Sequence, residues 1–152
     1  MDSIISKNYS QINRFNVSRE TCNELESLIS MIQKKNKEIN IISKKKSEKG
    51  AIRQRHIIDS AQIIDFVDLN SNTTSDLGSG GGMPGIIIAV LMKKLKNSMK
   101  VQLYEKSYHK CVFLKDVSEK FELNTEIIQK DIFKIKNIET GTIMSRAFSS
   151  PL

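Results

Sequence analysis

Three alternating glycines, Gly78, Gly80 and Gly82, follow an acidic residue, Asp76. The residues before them favour a strand, and the apolar run 86–92 after them is long enough to begin a helix. Glycine has no Cβ and tolerates φ > 0, so a turn of this kind lets a ligand approach the backbone closely. The first N–H groups of the following helix then point at the ligand. The pattern therefore predicts a site for a nucleotide-type cofactor.

The spacing of the glycines discriminates between cofactors. The dinucleotide fingerprint G-x-G-x-x-G requires a glycine where this chain has Met83. The pattern D-x-G-x-G-x-G instead resembles the first motif of class I S-adenosyl-L-methionine (SAM) methyltransferases. An acidic residue is then expected after the next strand to hold the ribose hydroxyls, and Glu105 is in that position. A glycine-rich turn alone is also compatible with a structural loop, but the order of strand, turn, helix and Glu105 favours the cofactor site.

The elements that must position these residues alternate between strand and helix after residue 72. We expect strands, helices and one short turn at these positions: strands near 73–77, 100–105, 125–129 and 141–146, helices near 84–96 and 108–121, and the turn near 131–138. Such alternation is typical of an α/β, Rossmann-like fold, a partial parallel sheet with helices on both faces. Ligands of these sheets bind at the carboxyl ends of the strands.

The chain before the sheet is predicted to be helical. Residues 1–17 are expected to be loose, 18–70 to form an N-terminal helical segment, and 71–152 to form the Rossmann-like half. Ser18 is suited to cap a first helix that ends near Lys37. Residues 39–43 form an apolar connector, and further helical stretches follow at 47–56 and 57–67. We interpret His56 and Asp59 as a structural pair that ties these helices to the sheet.

Charge and composition limit the class of protein. The 152 residues carry a net charge of +7, which favours a polyanionic partner, although each lysine cluster alone is also compatible with a solvated surface. The sequence has no membrane-spanning apolar run and no signal peptide, so a cytoplasmic location is expected. Cys22 and Cys111 lie too far apart to suggest a disulfide framework, and no His/Cys cluster has metal-ligand spacing, so no metal is predicted.

Three stretches together resemble the RsmG/GidB family, the methyltransferases of guanine N7 in 16S ribosomal RNA. The first stretch, 55–60, reads R-H-I-I-D-S and is similar to the family's R-H-x-x-D-S segment. The second, 76–85, resembles D-x-G-[ST]-G-x-G-[FL]-P-G, and the third, 145–147, resembles [SA]-R-A. The resemblance covers roughly residues 25 to 150. It implies methyl transfer from SAM to a guanine of 16S rRNA or of the small ribosomal subunit.

The resemblance also assigns roles to single residues. SAM is expected to bind Gly78, Gly80, Gly82 and Met83, with Glu105 on the ribose and with Ile132 and Phe133 beside the adenine. Arg146 is expected between cofactor and guanine as the catalytic and substrate-binding residue, with Arg55 as a second substrate-binding residue. Without its S-R-A context, an arginine at a strand end would more simply be explained by a surface ion pair.

Two departures from the family pattern leave alternatives open. The family has R-x-E after the third strand, where this chain has Asp131, Ile132 and Phe133. The sequence also stops at Leu152, where family members continue, which leaves 142–144 as an uncovered sheet edge. The alternative is therefore a truncated, non-catalytic remnant that binds SAM or rRNA without turnover. A monomer is expected unless this edge pairs. A nucleotide-dependent oxidoreductase is disfavoured by Met83 and by the 55–60 segment.

Overall fold

Four parallel strands form the centre of the protein in a computed structural model that describes residues 7–43 and 48–146. They are β1 Thr73–Leu77, β2 Lys100–Glu105, β3 Thr125–Gln129 and β4 Thr142–Ser145. Their order in the sheet is β3-β2-β1-β4, and every neighbouring pair is parallel. This confirms the predicted parallel sheet. Within the described residues β4 pairs with β1 alone, so it forms an edge, where 56% of Ile143 is exposed.

The first helix, α1, spans Arg19–Asn36. It begins where predicted because the Ser18 hydroxyl accepts a hydrogen bond from the N–H of Thr21 at 3.1 Å. Four of its apolar residues recur at helical spacing and are buried: Leu25, Leu28, Ile29 and Ile32. The amphipathic pattern therefore identified the face of α1 that enters the core.

A continuous helical run follows at 49–66. It consists of α2 Lys49–Ile52, a π-helical turn Arg53–Ile58, α3 Asp59–Gln62 and a 3-10 turn Ile63–Phe66. The junction residues Ile58 and Gln62 keep helical φ and ψ angles, so the two stretches expected on either side of residue 57 are joined. The predicted helix start at Ser47 and the lysines at 44–46 lie outside the described residues.

Two further helices cross between the strands, as predicted. They are α4 Gly85–Lys94 and α5 Tyr108–Lys120. Every residue of α4 from Gly85 to Met92 is buried, because α4 packs on β2 from one side and contacts α3 from another. Helix α5 packs on β2 and β3 and also contacts α1. One apolar core therefore runs from the N-terminal helices through α4 to the sheet.

The expectation of a loose N-terminus is wrong for residues 7–17; residues 1–6 lie outside the described part of the chain. Ser10–Phe15 form a 3-10 helix, and Tyr9 and Ile12 have no exposed surface. The Tyr9 hydroxyl donates a hydrogen bond of 2.7 Å to Oε1 of Glu26 in α1. The buried side chains of Tyr9 and Ile12 thus anchor this segment, and hydrogen bonds to Glu26, Asp65 and Gln54 add to them, although most of its residues are polar.

Glu26 is the centre of a charged cluster between α1 and the helical run 49–66. Arg53 donates to both carboxylate oxygens, from Nε at 2.7 Å and from Nη2 at 3.0 Å, and Nζ of Lys49 lies 3.1 Å from Oε2. Burial by itself would raise the pKa of Glu26, but the hydrogen bonds from Arg53, Tyr9 and Lys49 outweigh it and lower the pKa to about 2. The cluster therefore holds the carboxylate in its ionised form.

We expect Glu26→Gln to lower the free energy of unfolding by about 2 kcal/mol at neutral pH, because the Arg53 guanidinium loses its charged partner. The folded-state pKa of Glu26 lies below its ordinary value of 4.5, so its contribution is present above that value and is lost as the pH falls toward 2. Urea unfolding at neutral and at acid pH tests this. The difference between variant and wild type should shrink in acid, and a constant difference would contradict an ionic contribution.

Within 7–43 and 48–146, no helix is both long and apolar enough to cross a bilayer. Cys22 and Cys111 are buried free thiols.

Candidate cofactor and substrate site

Predicted site residues lie at or just after the carboxyl end of each of the four strands. β1 runs into the glycine turn 78–82, and β2 ends at Glu105. Ile132 and Phe133 follow β3, and Arg146 follows β4. Because the strands are parallel, these positions share the carboxyl edge. The strand order reverses at β1, since β2 and β3 extend to one side and β4 lies on the other, and ligands of open α/β sheets bind at such a reversal.

The glycine turn has the backbone geometry that its sequence predicts. Gly78, Gly80 and Gly82 have φ angles of 69°, 57° and 96°. The N–H of Ser79 donates to the carbonyl oxygen of Tyr104 at 2.9 Å, which fixes the turn to β2, and the N–H of Gly82 donates to the carbonyl oxygen of Ser79 at 2.8 Å. These hydrogen bonds therefore hold the turn in a defined shape.

Asp76 ties the end of β1 to the start of α4. Its Oδ2 accepts hydrogen bonds of 2.9 Å from the hydroxyl of Ser79 and from the N–H of Gly85. Asp76 has no exposed surface, and its Oδ1 has no hydrogen-bond partner among the described residues. Burial raises the pKa of Asp76 to about 6, although the hydrogen bonds from Gly85 and Ser79 lower it. The acidic residue of the motif thus supports the turn from inside the protein.

Glu105 holds two backbone segments with one carboxylate. Its Oε2 accepts from the N–H of Gly80 at 2.8 Å, and its Oε1 accepts from the N–H of Ser107 at 2.9 Å, just before α5. Only 7% of the residue is exposed. A carboxylate has about four lone-pair sites, so each oxygen keeps acceptor capacity for a ligand hydroxyl. The sequence predicted the position of Glu105 but gave no sign of its bond to the glycine turn.

The remaining cofactor positions differ in exposure. Met83 is buried next to the turn, Ile132 is half-buried and 71% of Phe133 is exposed. Asp131, considered as a shifted adenine-side carboxylate, accepts a hydrogen bond of 3.1 Å from the N–H of Phe133. Asp131 therefore caps the short 3-10 turn Ile132–Lys134 that carries both predicted adenine neighbours.

Arg146 joins two of the sequence stretches that carry the resemblance. Its Nη1 donates to the carbonyl oxygen of His56 at 3.4 Å and to the Ser60 hydroxyl at 3.3 Å, and its Nη2 donates to the carbonyl oxygen of Arg55. The side chain of Arg55 is itself exposed. Arg146 is thus docked on the π-helical turn and α3, a contact that sequence reasoning missed because main-chain acceptors carry no residue-type signal. Residue 147, the last of its motif, lies outside the described residues.

No group of three or more His, Cys, Asp or Glu side chains with the arrangement of a metal site occurs in the described part of the chain.

Comparison with known proteins agrees with this geometry. The family model described as rRNA small subunit methyltransferase G matches residues 21–151. Ribosomal RNA small subunit methyltransferase G of Pelagibacter ubique (strain HTCC1062) is 56% identical over 144 residues, which cover 95% of this chain and 68% of that relative. The proteins of the same name from Jannaschia sp. (strain CCS1) and Rickettsia rickettsii (strain Sheila Smith) are each 34% identical over 134 residues.

Those 134 residues cover 88% of this chain but only 63% and 66% of the two relatives. The chain therefore spans about two thirds of the length of the curated relatives it matches. The parallel sheet, the glycine turn at its reversal point and these matches lead to one conclusion: the chain belongs to the family of rRNA small subunit methyltransferase G, also called GidB.

Proposed function

We propose that this protein binds SAM at the glycine turn and transfers its methyl group to N7 of a guanine in small-subunit (16S) rRNA, in the cytoplasm. One observation carries the proposal. The residues that the family pattern assigns to cofactor and guanine come from four separate strand ends and share one edge of the sheet.

The residues at this edge fit SAM. A Cβ built on Gly80 would meet only the carbonyl oxygen of Gly78, at 3.8 Å, so that side of the turn is open to a ligand that approaches the backbone. Glu105 offers acceptor capacity beside the same turn. Ile132 and Phe133 follow the neighbouring strand and offer apolar surface for a purine ring.

In this arrangement Gly78, Gly80, Gly82 and Met83 line the site through their backbone, Glu105 binds the ribose hydroxyls, and the 3-10 turn after β3 flanks the adenine. SAM supplies an electrophilic methyl group when it is bound. Guanine N7 has a lone pair and carries no proton, so this acceptor needs no general base. The protein's task is to hold N7 in line with the methyl group, which is catalysis by positioning.

Arg146 is placed to orient the guanine. A guanidinium has five N–H donors, and Arg146 makes three hydrogen bonds to described residues. Its docking on the helical run fixes the plane of the guanidinium, and the remaining donors suit the O6 acceptor of guanine. Arg55 adds an exposed guanidinium next to this contact.

An RNA substrate is favoured by the charge at the same edge. Lys106 directly follows β2 and Lys130 directly follows β3, and both are exposed, while Arg146 follows β4. Together with the net charge of +7, these cations attract phosphates by counterion release.

Calorimetric titration of SAM tests the cofactor site. We expect wild type to bind and Gly80→Ala to bind at least about tenfold more weakly, because its Cβ would enter the open side of the turn at the cost of about 1 kcal/mol of backbone strain. Gly50→Ala is the matched control, since a Cβ at Gly50 has no neighbour within 4 Å. Folded wild type that does not bind would contradict the proposal, and equal binding by Gly80→Ala would refute the placement.

Methyl transfer itself is tested with labelled SAM on 16S rRNA and on small subunits, followed by mapping of the modified base. Label at N7 of a guanine supports the proposal, and label at any other atom contradicts it. Binding of SAM without any transfer would instead favour a protein that binds without turnover.

A further inference from the structure

The glycine turn packs against the apolar connector 39–43. A Cβ built on Gly81 would lie 2.7 Å from Cγ2 of Ile41, 3.3 Å from the carbonyl oxygen of Ile41 and 3.5 Å from Cγ2 of Ile42. Ile41 and Ile42 are both buried. The apolar connector 39–43 therefore presses directly on the backbone of the turn, which leaves no room for a side chain at Gly81.

One side chain holds this connector in place. Oδ1 of Asn36 accepts hydrogen bonds from the N–H of Ile41 at 2.8 Å and from the N–H of Ile42 at 2.9 Å. The N–H of Ile41 is shared with the carbonyl oxygen of Ile39, at 2.9 Å. Asn36 is the last residue of α1, whose preceding turns are fixed in the core by Ile29 and Ile32.

We propose that Asn36 is a positioning residue for the cofactor turn. Asn36 fixes Ile41 relative to α1, and Ile41 packs against Gly81. The turn therefore keeps the shape that Asp76 and Glu105 also stabilise through their hydrogen bonds. Its effect on SAM rests on the function proposed above. A turn that is already ordered pays less conformational entropy when a ligand binds, so loss of the Asn36 contacts should appear as weaker binding without loss of any ligand contact.

Two substitutions of similar size separate the acceptor from the shape of the side chain. Asn36→Leu removes the acceptor, whereas Asn36→Asp keeps an oxygen in the same place beside Lys35 and Lys37. We expect Asn36→Leu to speed hydrogen exchange of the amides at 78–83 about tenfold and to weaken SAM binding by a similar factor. Asn36→Asp should retain wild-type behaviour in both measurements.

Ile12→Val is the control for general destabilisation, because Ile12 is fully buried in the N-terminal segment and belongs to neither the connector nor the turn. It should lower the unfolding midpoint without changing exchange at 78–83. A folded Asn36→Leu protein with wild-type exchange at 78–83 would overturn the inference. If exchange rises as expected but wild type does not bind SAM, the positioning role stands and the proposed function fails.

A second pair of variants decides the matter if Asn36→Leu does not fold. Gly81→Ala would push against Ile41 from the side of the turn, and Ile41→Ala removes the Cγ2 atom that the new Cβ would meet first. We expect Gly81→Ala to speed exchange at 78–83 and the double substitution to restore part of the protection. Effects of the two substitutions that simply add would show that the connector and the turn are not coupled, which would also overturn the inference.

Discussion

Gly82→Ala is expected to lower the free energy of unfolding by about 4 kcal/mol, as backbone strain and overpacking combine. The φ angle of Gly82 is 96°, which side-chain-bearing residues rarely adopt. A Cβ there would lie 2.5 Å from Cγ1 of Ile86, 3.1 Å from its Cβ and 3.1 Å from Cδ2 of Leu114. Ile86 and Leu114 are fully buried in α4 and α5, so neither side chain has space to move away.

Chemical denaturation of Gly82→Ala beside Gly80→Ala tests this expectation. The two glycines share a turn and a positive φ, but the Cβ of Gly80 would meet nothing closer than 3.8 Å. Gly80→Ala should therefore cost only about 1 kcal/mol from its left-handed backbone. A domain has about 5 to 15 kcal/mol of stability, so Gly82→Ala would lose a large part of it. Equal losses in the two variants would show that packing against α4 and α5 is not the cause.

Asp76→Asn is expected to change the pH dependence of stability. Burial raises the folded-state pKa of Asp76 from 3.8 to about 6, so the folded protein binds this proton more tightly than the unfolded chain does. The contribution of Asp76 to the free energy of unfolding should then fall as the pH rises from 3.8 through about 6, because the charged carboxylate is disfavoured inside the protein. The variant has no such charge and should lack this fall.

The measurement is the difference in unfolding free energy between Asp76→Asn and wild type as a function of pH. From about pH 4 to about pH 7 this difference should shift in favour of the variant by about 2 to 3 kcal/mol. The amide retains an oxygen for the bonds from Ser79 and Gly85. Any cost of burying its NH₂ group is independent of pH and cancels in the shift. A pH-independent difference would show that the carboxylate does not titrate in this range.

These two carboxylates act in opposite directions. Ionised Glu26 stabilises the folded protein, and this contribution is lost in acid. Ionised Asp76 instead destabilises the folded protein, an effect that grows as the pH rises. The difference follows from their surroundings. Arg53 and Lys49 neutralise Glu26, whereas Asp76 is buried and, within the described residues, accepts its hydrogen bonds from the neutral donors Ser79 and Gly85.

The sheet and its turn were predictable from the sequence because their signals are local. Alternation of apolar residues located β2, the apolar run after Pro84 located α4, and Ser18 located the start of α1. The carboxyl-edge position of Glu105 and Arg146 then followed from parallel strands alone.

The contacts that join distant segments could not be predicted in this way. Tyr9 lies in a polar stretch that looks loose, yet it is buried and bonds to Glu26, which only tertiary packing brings near. The docking of Arg146 uses main-chain carbonyls, and Asn36 resembles any polar residue at a helix end. Partner choice of this kind depends on the folded shape, which no short window of sequence contains.

The burial of α4 bears on how far this protein is modular. Its residues from Gly85 to Met92 are covered by the sheet and by the helical run 49–66 together, and one apolar core includes both. A boundary at residue 70 therefore cuts through one apolar core. If the sheet portion were transplanted without the N-terminal helices, one side of the apolar helix α4 would be exposed to water. Recombination at that point would therefore yield an aggregation-prone fragment.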